Sequence, residues 1–250
     1  MPLLPASSGL VVNAALPAFK LGDFKLIAFD MDSTLINIEC VDEIADAVGR
    51  KPQVAAITEA TMRGEIADFK ESLRRRVALL QGVSVAQMDA VYQERLQLNP
   101  GAAELVRACK AAGMKVLLVS GGFTYFADRV CELLDIDFAR ANVLEIEGGA
   151  LTGRLVDQPW GDICDGEEKR RMLLATCAQL GIAPSQAIAM GDGANDLPMM
   201  GVAGLSIAYH PKPAVREEAM ISIMEGGMDR ALSLFRVEGK PAFPASHGGL

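Results

Sequence analysis

The sequence predicts an α/β fold: a doubly wound parallel sheet with a helical cap inserted after the first strand. Three short apolar runs, Leu26–Phe29, Val116–Val119 and Ala187–Met190, each end abruptly in small or acidic polar residues. Segments of helical period lie between them, such as Ala102–Ala112 behind Pro100. Strands that alternate with helices are typical of a parallel sheet, and ligands bind at the carboxyl ends of such strands.

The insert explains the break in this alternation. Residues 39–97 show only helical patterns: an apolar stripe over 38–48, a second pattern over Ile66–Leu80, and a third over Val85–Leu98 behind the candidate N-cap Ser84. An insert that directly follows the first strand would stand over the ligand-binding edge of the sheet. We therefore expect it to form a cap.

The remaining segments set the domain boundaries. Two extended stretches around Gly148-Gly149 predict a β-hairpin within 139–160. The expected organisation is an N-terminal tail (1–24), a core (25–38 and 98–236), the helical cap (39–97) and a C-terminal tail (237–250).

Composition excludes several classes of protein. The 250 residues are 50% hydrophobic and 22% charged, which excludes global disorder, and the net charge of −8 argues against a nucleic-acid partner. No apolar run approaches the roughly 20 residues of a membrane span, and the five scattered cysteines suit a reducing compartment. We expect a cytoplasmic monomer or homodimer that acts on a small molecule, without a nucleic-acid or membrane partner.

Asp30 and Asp32 stand two apart at the end of the first predicted strand, followed by Ser33 and Thr34. One carboxylate there can attack phosphorus, while the other protonates the leaving oxygen and later activates water. An acidic turn is the alternative interpretation.

A second acidic cluster, Gly191 to Asp196, follows another predicted strand and contains Asp192 and Asp196. Several carboxylates at one sheet edge repel one another unless a hard cation lies between them, and oxygen-only ligation suits Mg²⁺. The alternative interpretation of this cluster is a glycine-rich turn with an Asx cap. The two acidic clusters together favour a metal site.

Ser120-Gly121-Gly122 ends the middle strand and opens a predicted helix, Phe123–Leu134. Free backbone N–H groups, a hydroxyl group and the helix dipole would form a cradle for an anion. By itself, Ser-Gly-Gly is more often an ordinary loop. Its position on the second of three converging strand ends favours the cradle.

Two charged residues of the insert are candidates for substrate binding. Helical steps of 100° place Arg76 about 20° from Phe69 and about 40° from Leu80, inside the apolar stripe, whereas Arg75 points sideways. An inward guanidinium needs an anionic partner, which is either a structural carboxylate or a ligand. Glu39 can bind an ammonium group or serve as an N-terminal helix charge.

A basic pair opens the predicted helix Glu167–Leu180. Lys169 and Arg170 both flank its apolar face, so periodicity leaves open which one faces the site, and either can neutralise a phosphoryl group. Cys164 and Arg170 imitate the C-x5-R spacing of cysteine-dependent phosphatases. The three carboxylates between them would repel phosphate and raise the pKa of the thiol, which argues against that mechanism.

The motifs FDMDSTL, VSGGF and GDGAND, in that order, resemble the haloacid-dehalogenase superfamily of aspartate-dependent phosphatases. The longer series, with FDMDSTLIN-x-E-x-x-DEIA, Met62, FKESLRRRV and VSGGF, is similar to the phosphoserine phosphatase family throughout residues 26–225. The stretch Asp162–Arg171 matches that family only through its lysine. The first 24 residues are too short for the regulatory amino-acid-binding domain of some members, so control through such a domain is not expected.

This resemblance implies roles for individual residues. Asp30 would be the nucleophile and Asp32 the general acid/base, with Mg²⁺ held by the side chains of Asp30 and Asp192 and the backbone carbonyl of Asp32. The phosphoryl group would be held by Ser120, Gly121, Lys169 and Asn195, while Asp196 supports the metal shell. The substrate's ammonium and carboxylate would meet Glu39 and Arg76, with Met62 and Phe69 lining the cap pocket.

The expected activity is Mg²⁺-dependent hydrolysis of phosphoserine through an aspartyl-phosphate. The first alternative is an enzyme of the same fold that acts on another small phosphomonoester. Such an enzyme could instead transfer the phosphoryl group to an alcohol such as homoserine. A catalytically silent phosphate-binding module is the second. The intact carboxylates and Lys169 argue against a module without catalytic activity.

Overall fold

The computed structural model describes residues 9–13, 19–63 and 65–235. Within these ranges the chain forms one eight-stranded sheet in the order β1-β8-β7-β6-β2-β3-β4-β5. The strands are β1 (Leu10–Val12), β2 (Leu26–Phe29), β3 (Lys115–Phe123), β4 (Phe138–Glu147), β5 (Ala150–Val156), β6 (Ala187–Gly191), β7 (Leu205–Tyr209) and β8 (Ile221–Ile223). The predicted α/β fold with a mostly parallel sheet is confirmed.

The three predicted strands lie side by side at the centre of the sheet. β2 pairs in parallel with β3 on one side and with β6 on the other, so that Phe29 lies opposite both Leu118 and Met190. Parallel neighbours end at the same edge, and the polar clusters that follow them therefore meet there. β3 is longer than predicted, because Ser-Gly-Gly continues the strand, with a register shift against β4 between Val119 and Phe123.

Both edges of the sheet carry antiparallel strands. β4 and β5 form the predicted hairpin around Gly148-Gly149. At the other edge Leu10–Val12 pair with Ile221–Ile223, so part of the segment expected as an N-terminal tail is an edge strand of the core. The pattern did not predict it, since a three-residue edge strand has too few residues to show alternation. The C-terminal tail 237–250 lies outside the described residues, as do residues 1–8 and 14–18.

Helices cover both faces of the sheet. They are α1 (Cys40–Asp46), α2 (Lys51–Met62), α3 (Phe69–Ala78), α4 (Val85–Glu94), α5 (Ala102–Ala111), α6 (Thr124–Leu134), α7 (Gly166–Leu180), α8 (Leu197–Met200) and α9 (Pro213–Arg216). Along β2, Ile27 and Phe29 pack with α5 and α6, whereas Leu26 and Ala28 pack with α7 and α8. This period of two buries both faces of the strand, as a doubly wound sheet requires.

The described residues of the insert after β2 form α1 to α4 and none of the named strands. Ser84 caps α4 by accepting from Gln87 N–H, and Asp68 caps α3, which begins three residues later than the pattern indicated. The periodicity missed α2. Only Val54 of this helix is buried, so its sequence carries no apolar stripe.

Over the described residues, the helices are too short or too polar to span a lipid bilayer.

Candidate active site

A cleft of about 450 Å³ opens between the cap helices and the carboxyl ends of β2, β3 and β6. Most of the residues predicted for the site line it: Asp30, Asp32, Glu39, Met62, Phe69, Arg76, Ser120, Gly121 and Asn195. Asp192, Lys169 and Asp196 are buried beside Asp30. The structure thus brings the predicted residues to one place.

A tight turn presents the two aspartates of the first cluster. Asp30 directly follows β2, and its Oδ1 accepts a hydrogen bond of 2.7 Å from the N–H of Met31. Ser33 has a φ of +56°, in the left-handed region that non-glycine residues seldom adopt. Ile36 N–H closes the turn on the carbonyl of Met31. The chain therefore reverses immediately after placing Asp30 and Asp32 at the cleft.

Lys169 is fully buried and forms two ion pairs of 2.7 Å, one with Asp30 Oδ1 and one with Asp196 Oδ1. Burial would lower the pKa of Lys169, but the two carboxylates outweigh it and raise the pKa above its ordinary value. Arg170 instead pairs with Glu167 on the surface of α7. The question that periodicity left open is thus settled in favour of Lys169 as the residue facing the site.

The second acidic cluster supplies the third carboxylate of a possible metal site. Oxygen atoms of Asp30, Asp192 and Asp196 all lie within 4.8 Å of one another. Both oxygens of Asp196 also have partners, since Oδ2 accepts from the N–H groups of Asp192 and Gly193 while Oδ1 binds Lys169. An all-oxygen donor set fits a hard divalent cation. Asp196 orients the lysine and the turn that carries Asp192.

Burial, followed by the neighbouring carboxylates Asp196 and Asp192, raises the pKa of Asp30, while Lys169 opposes the rise. Burial likewise raises the pKa of Asp192. Six carboxylates (Asp30, Asp32, Glu39, Asp42, Asp192, Asp196) and three cations (Lys169, Arg76, Lys212) lie in or beside the cleft, so acidic groups are in excess. A divalent cation would offset part of this excess.

The Ser-Gly-Gly segment lines the cleft opposite these carboxylates. Gly122 N–H donates to Ser120 Oγ over 2.8 Å, and a Cβ atom on Gly122 would lie 3.2 Å from Asp32 Oδ1. Asn142, which the sequence did not single out, donates to the carbonyl of Gly121 and accepts from the N–H of Cys164. Asn142 therefore links the Ser-Gly-Gly segment to the loop before α7. No sequence motif marks a single buried asparagine on a strand, so this role is visible only in the structure.

Asp32 receives two hydrogen bonds from Cys40, the first residue of α1. The N–H of Cys40 donates to Oδ2 over 2.9 Å, and its thiol donates to Oδ1 over 3.1 Å. Burial and the nearby Glu39 raise the pKa of Asp32 to about 7, although the hydrogen bonds from Cys40 oppose the rise. A carboxyl group of this pKa suits both donation and acceptance of a proton near neutral pH.

Cys164 is not suited to act as a nucleophilic thiolate. Burial raises the pKa of its thiol to about 12, which agrees with the prediction that the C-x5-R spacing is not a cysteine phosphatase site.

Helix α3 supplies the cap side of the cleft. Arg76 faces the cleft, as the helical geometry predicts, and within the described residues it forms no ion pair. Arg75 is exposed and pairs with Glu71 on the same helix. Phe69 lies against Gly121, where an added Cβ would come within 3.3 Å of the ring. Met62 lines the outer part, with 75% of its surface exposed.

Glu39 and Lys212 form an ion pair at the mouth of the cleft. Glu39 precedes α1, but its side chain caps no N–H of that helix. Its Oε1 accepts from Ser33 Oγ over 2.9 Å and lies 3.3 Å from Lys212 Nζ. Lys212 could not be predicted from the sequence, because the residues after β7 form no recognisable motif.

Comparisons with known sequences and with solved structures indicate the same family. The model of haloacid dehalogenase-like hydrolases matches residues 24–204. A phosphoserine phosphatase of Polaromonas sp. is 76% identical over 230 residues, which cover 92% of this chain and 98% of the relative. Two solved structures, a substrate-bound phosphoserine phosphatase complex and a phospho-aspartyl intermediate analogue of phosphoserine phosphatase, each have a TM-score of 0.78, with 36% identity over 85% of this chain and 99% of theirs.

The fold and the buried aspartate–lysine site define a haloacid dehalogenase-like hydrolase. Within that class, the chain belongs to the phosphoserine phosphatase family.

Proposed function

We propose that this protein is a Mg²⁺-dependent phosphatase that hydrolyses O-phospho-L-serine to L-serine and phosphate, the last step of serine biosynthesis. One observation carries the substrate assignment. Glu39 lines the same cleft as Asp30, and so does the guanidinium of Arg76, which forms no ion pair with another described residue. A substrate that bears an ammonium, a carboxylate and a phosphate group has a complementary partner for each charge.

In the proposed mechanism, a carboxylate oxygen of Asp30 attacks phosphorus and the bond from phosphorus to the serine oxygen breaks. Asp32 gives its proton to that oxygen, and an aspartyl-phosphate forms on Asp30. Asp32 then accepts a proton from the water that hydrolyses the aspartyl-phosphate. Lys169, Asn195, the Ser120 hydroxyl and the Gly121 N–H would hold the phosphoryl oxygens.

Asp30, Asp192 and the carbonyl of Asp32 would hold the metal, with Asp196 supporting them through Lys169 and the 192–193 turn. When bound, the cation neutralises negative charge on the phosphoryl oxygens. The cap over the site (39–97) would seat the amino-acid end of the substrate, with Phe69 and Met62 as apolar lining.

The test is the effect of Arg76→Ala on two substrates. Loss of one partner of a desolvated charge pair costs about 2–5 kcal/mol, so kcat/KM for phosphoserine should fall by roughly 30-fold to a few thousand-fold. Phosphoethanolamine lacks the carboxylate; it should be a poor substrate of the wild type and lose little further. Arg75→Ala, which removes an exposed arginine of the same helix, is the matched control and should be nearly silent.

Equal losses on both substrates would make Arg76 a phosphate ligand or a structural cation. The protein would then act on another phosphomonoester, which a panel of such substrates with Mg²⁺ would identify. A chain that bound phosphate and turned over none of the panel would be the silent module.

A further inference from the structure

Lys212 joins the cap to the catalytic edge of the core. It follows β7, the strand beside β6, and its side chain is about half exposed at the mouth of the cleft. Its Nζ lies 3.0 Å from Oδ2 of Asp192 in the core and 3.3 Å from Oε1 of Glu39 at the start of the cap.

The backbone around Lys212 is held independently of this side chain. Its N–H donates to the carbonyl of Asp192 over 2.9 Å. The preceding His210 has a φ of +41°, and its ring stacks on Tyr209 with centroids 4.2 Å apart and lies 3.0 Å from the carbonyl of Gly226. A non-glycine residue keeps such a φ only where its surroundings impose it. The turn is therefore built to bring Lys212 to Asp192.

The two oxygens of Glu39 have different surroundings. Oε1 takes a hydrogen bond from Ser33 Oγ and the ion pair with Lys212, and both of these partners belong to the core. Oε2 has no hydrogen-bond partner within the described part of the chain. The core thus fixes one oxygen and leaves the other for a donor that enters the cleft.

We propose that Lys212 is a positioning residue for ammonium recognition: by holding Oε1 of Glu39, it presents Oε2 to the substrate's ammonium group. The inference rests on the proposed function, in which Glu39 receives the ammonium of phosphoserine. A carboxylate that is already held in place loses less conformational entropy when the substrate binds. The charge of Lys212 is shared with Asp192, so Glu39 keeps a net attraction for an ammonium ion.

The experiment compares Lys212→Met with wild type on phosphoserine and on 3-phosphooxypropanoate, which has the phosphate and the carboxylate but no ammonium group. At saturating Mg²⁺, the variant should lose about 3- to 10-fold in kcat/KM for phosphoserine, mainly through KM, as befits a half-exposed ion pair. The loss on the analogue should be smaller, because the analogue brings no ammonium group to Glu39. Any change at Asp192 acts on both substrates alike and cancels in the ratio of their kcat/KM values. Lys212→Arg should restore most of the loss.

Lys51→Met is the matched control. Lys51 is exposed to a similar degree and pairs with Glu43 in the cap, so its loss should leave the ratio of the two substrates unchanged. In a Glu39→Gln background, Lys212→Met should cause no further loss on phosphoserine, because the two residues act as one unit.

Equal losses on both substrates would overturn the inference and assign Lys212 to the phosphate or metal side of the site. A lower KM for phosphoserine in Lys212→Met would also overturn it, because the lysine would then compete with the substrate for Glu39. A wild-type enzyme with no preference for phosphoserine over the analogue would instead reject the proposed substrate, and with it the role of Glu39.

Discussion

At the scale of single residues, Asp32 is the proposed proton donor, and its negative charge is unfavourable in the folded protein. Burial and the nearby Glu39 raise its pKa to about 7, from an ordinary value of 3.8. As pH rises from about 4 to about 7, the unfolded chain releases this proton before the folded protein does. The folded state then holds more protons than the unfolded state, so stability falls as pH rises through this window.

Removing this charge should therefore stabilise the protein. Asp32→Asn, measured in EDTA by thermal unfolding, should raise the Tm at pH 8. A gain of about 1 kcal/mol corresponds to about 2–4 °C in a chain of this size. The gain should be smaller at pH 5, where the wild-type carboxyl group is still mostly protonated. An equal gain at both pH values would show that the carboxylate of Asp32 carries no such cost.

At the scale of secondary-structure elements, α3 is tied to the loop that leads into α7. Lys70 Nζ lies 2.8 Å from Asp162 and 3.7 Å from Asp165, and Arg74 also pairs with Asp162. These ion pairs join the helix that carries Arg76 to the helix that carries Lys169. They link the cap to the core. Because they are partly exposed to solvent, salt should weaken them.

Asp162→Asn should weaken this link between α3 and the loop before α7 without disturbing the loop itself, because asparagine keeps the oxygen that accepts from the N–H of Ile163. We expect KM for phosphoserine to rise about 2- to 5-fold and to depend less on salt, as partly exposed ion pairs contribute up to about 1 kcal/mol each. Steady-state kinetics at low and high ionic strength measure both effects. Glu71→Gln, which removes a pair within α3 alone, is the control. If the control raised KM as much, the bridge to the core would not be the cause.

The elements also show what sequence alone can predict. Each central strand is a short apolar run that ends in polar residues, so both the sheet and the meeting of Asp30, Ser120 and Asp192 could be predicted from the pattern. Helical phase likewise predicted that Arg76 faces inward. Phase could not separate Lys169 from Arg170, because both flank the apolar face of α7.

Three features could be identified only from the structure. Helix α2 buries a single side chain, so it shows no stripe. The edge strand Leu10–Val12 is recognised only through its pairing with β8. Asn142 and Lys212 reach the site through contacts between residues distant in sequence, and no local motif marks them.

At the scale of the whole molecule, the fold concentrates charge at one edge of the sheet. The excess of carboxylates there predicts that removal of the metal abolishes turnover and that added Mg²⁺ restores it. Mg²⁺ should also raise the Tm of the EDTA-treated protein, because a ligand of the folded state stabilises it. Asp192→Asn should reduce this rise. Full turnover in metal-free buffer would contradict the metal assignment.

We expect Asp30 to take the phosphoryl group of phosphoserine, and this transfer can be observed by acid-quench trapping with ³²P-labelled substrate. Wild type and Asp32→Asn should both yield a labelled protein whose label maps to Asp30. In Asp32→Asn, substrate binding should persist while both formation and hydrolysis of the phosphoenzyme slow. Asp30→Asn should yield none, because an amide is a poor nucleophile. A labelled phosphoenzyme in Asp30→Asn, with the label on another residue, would contradict the account.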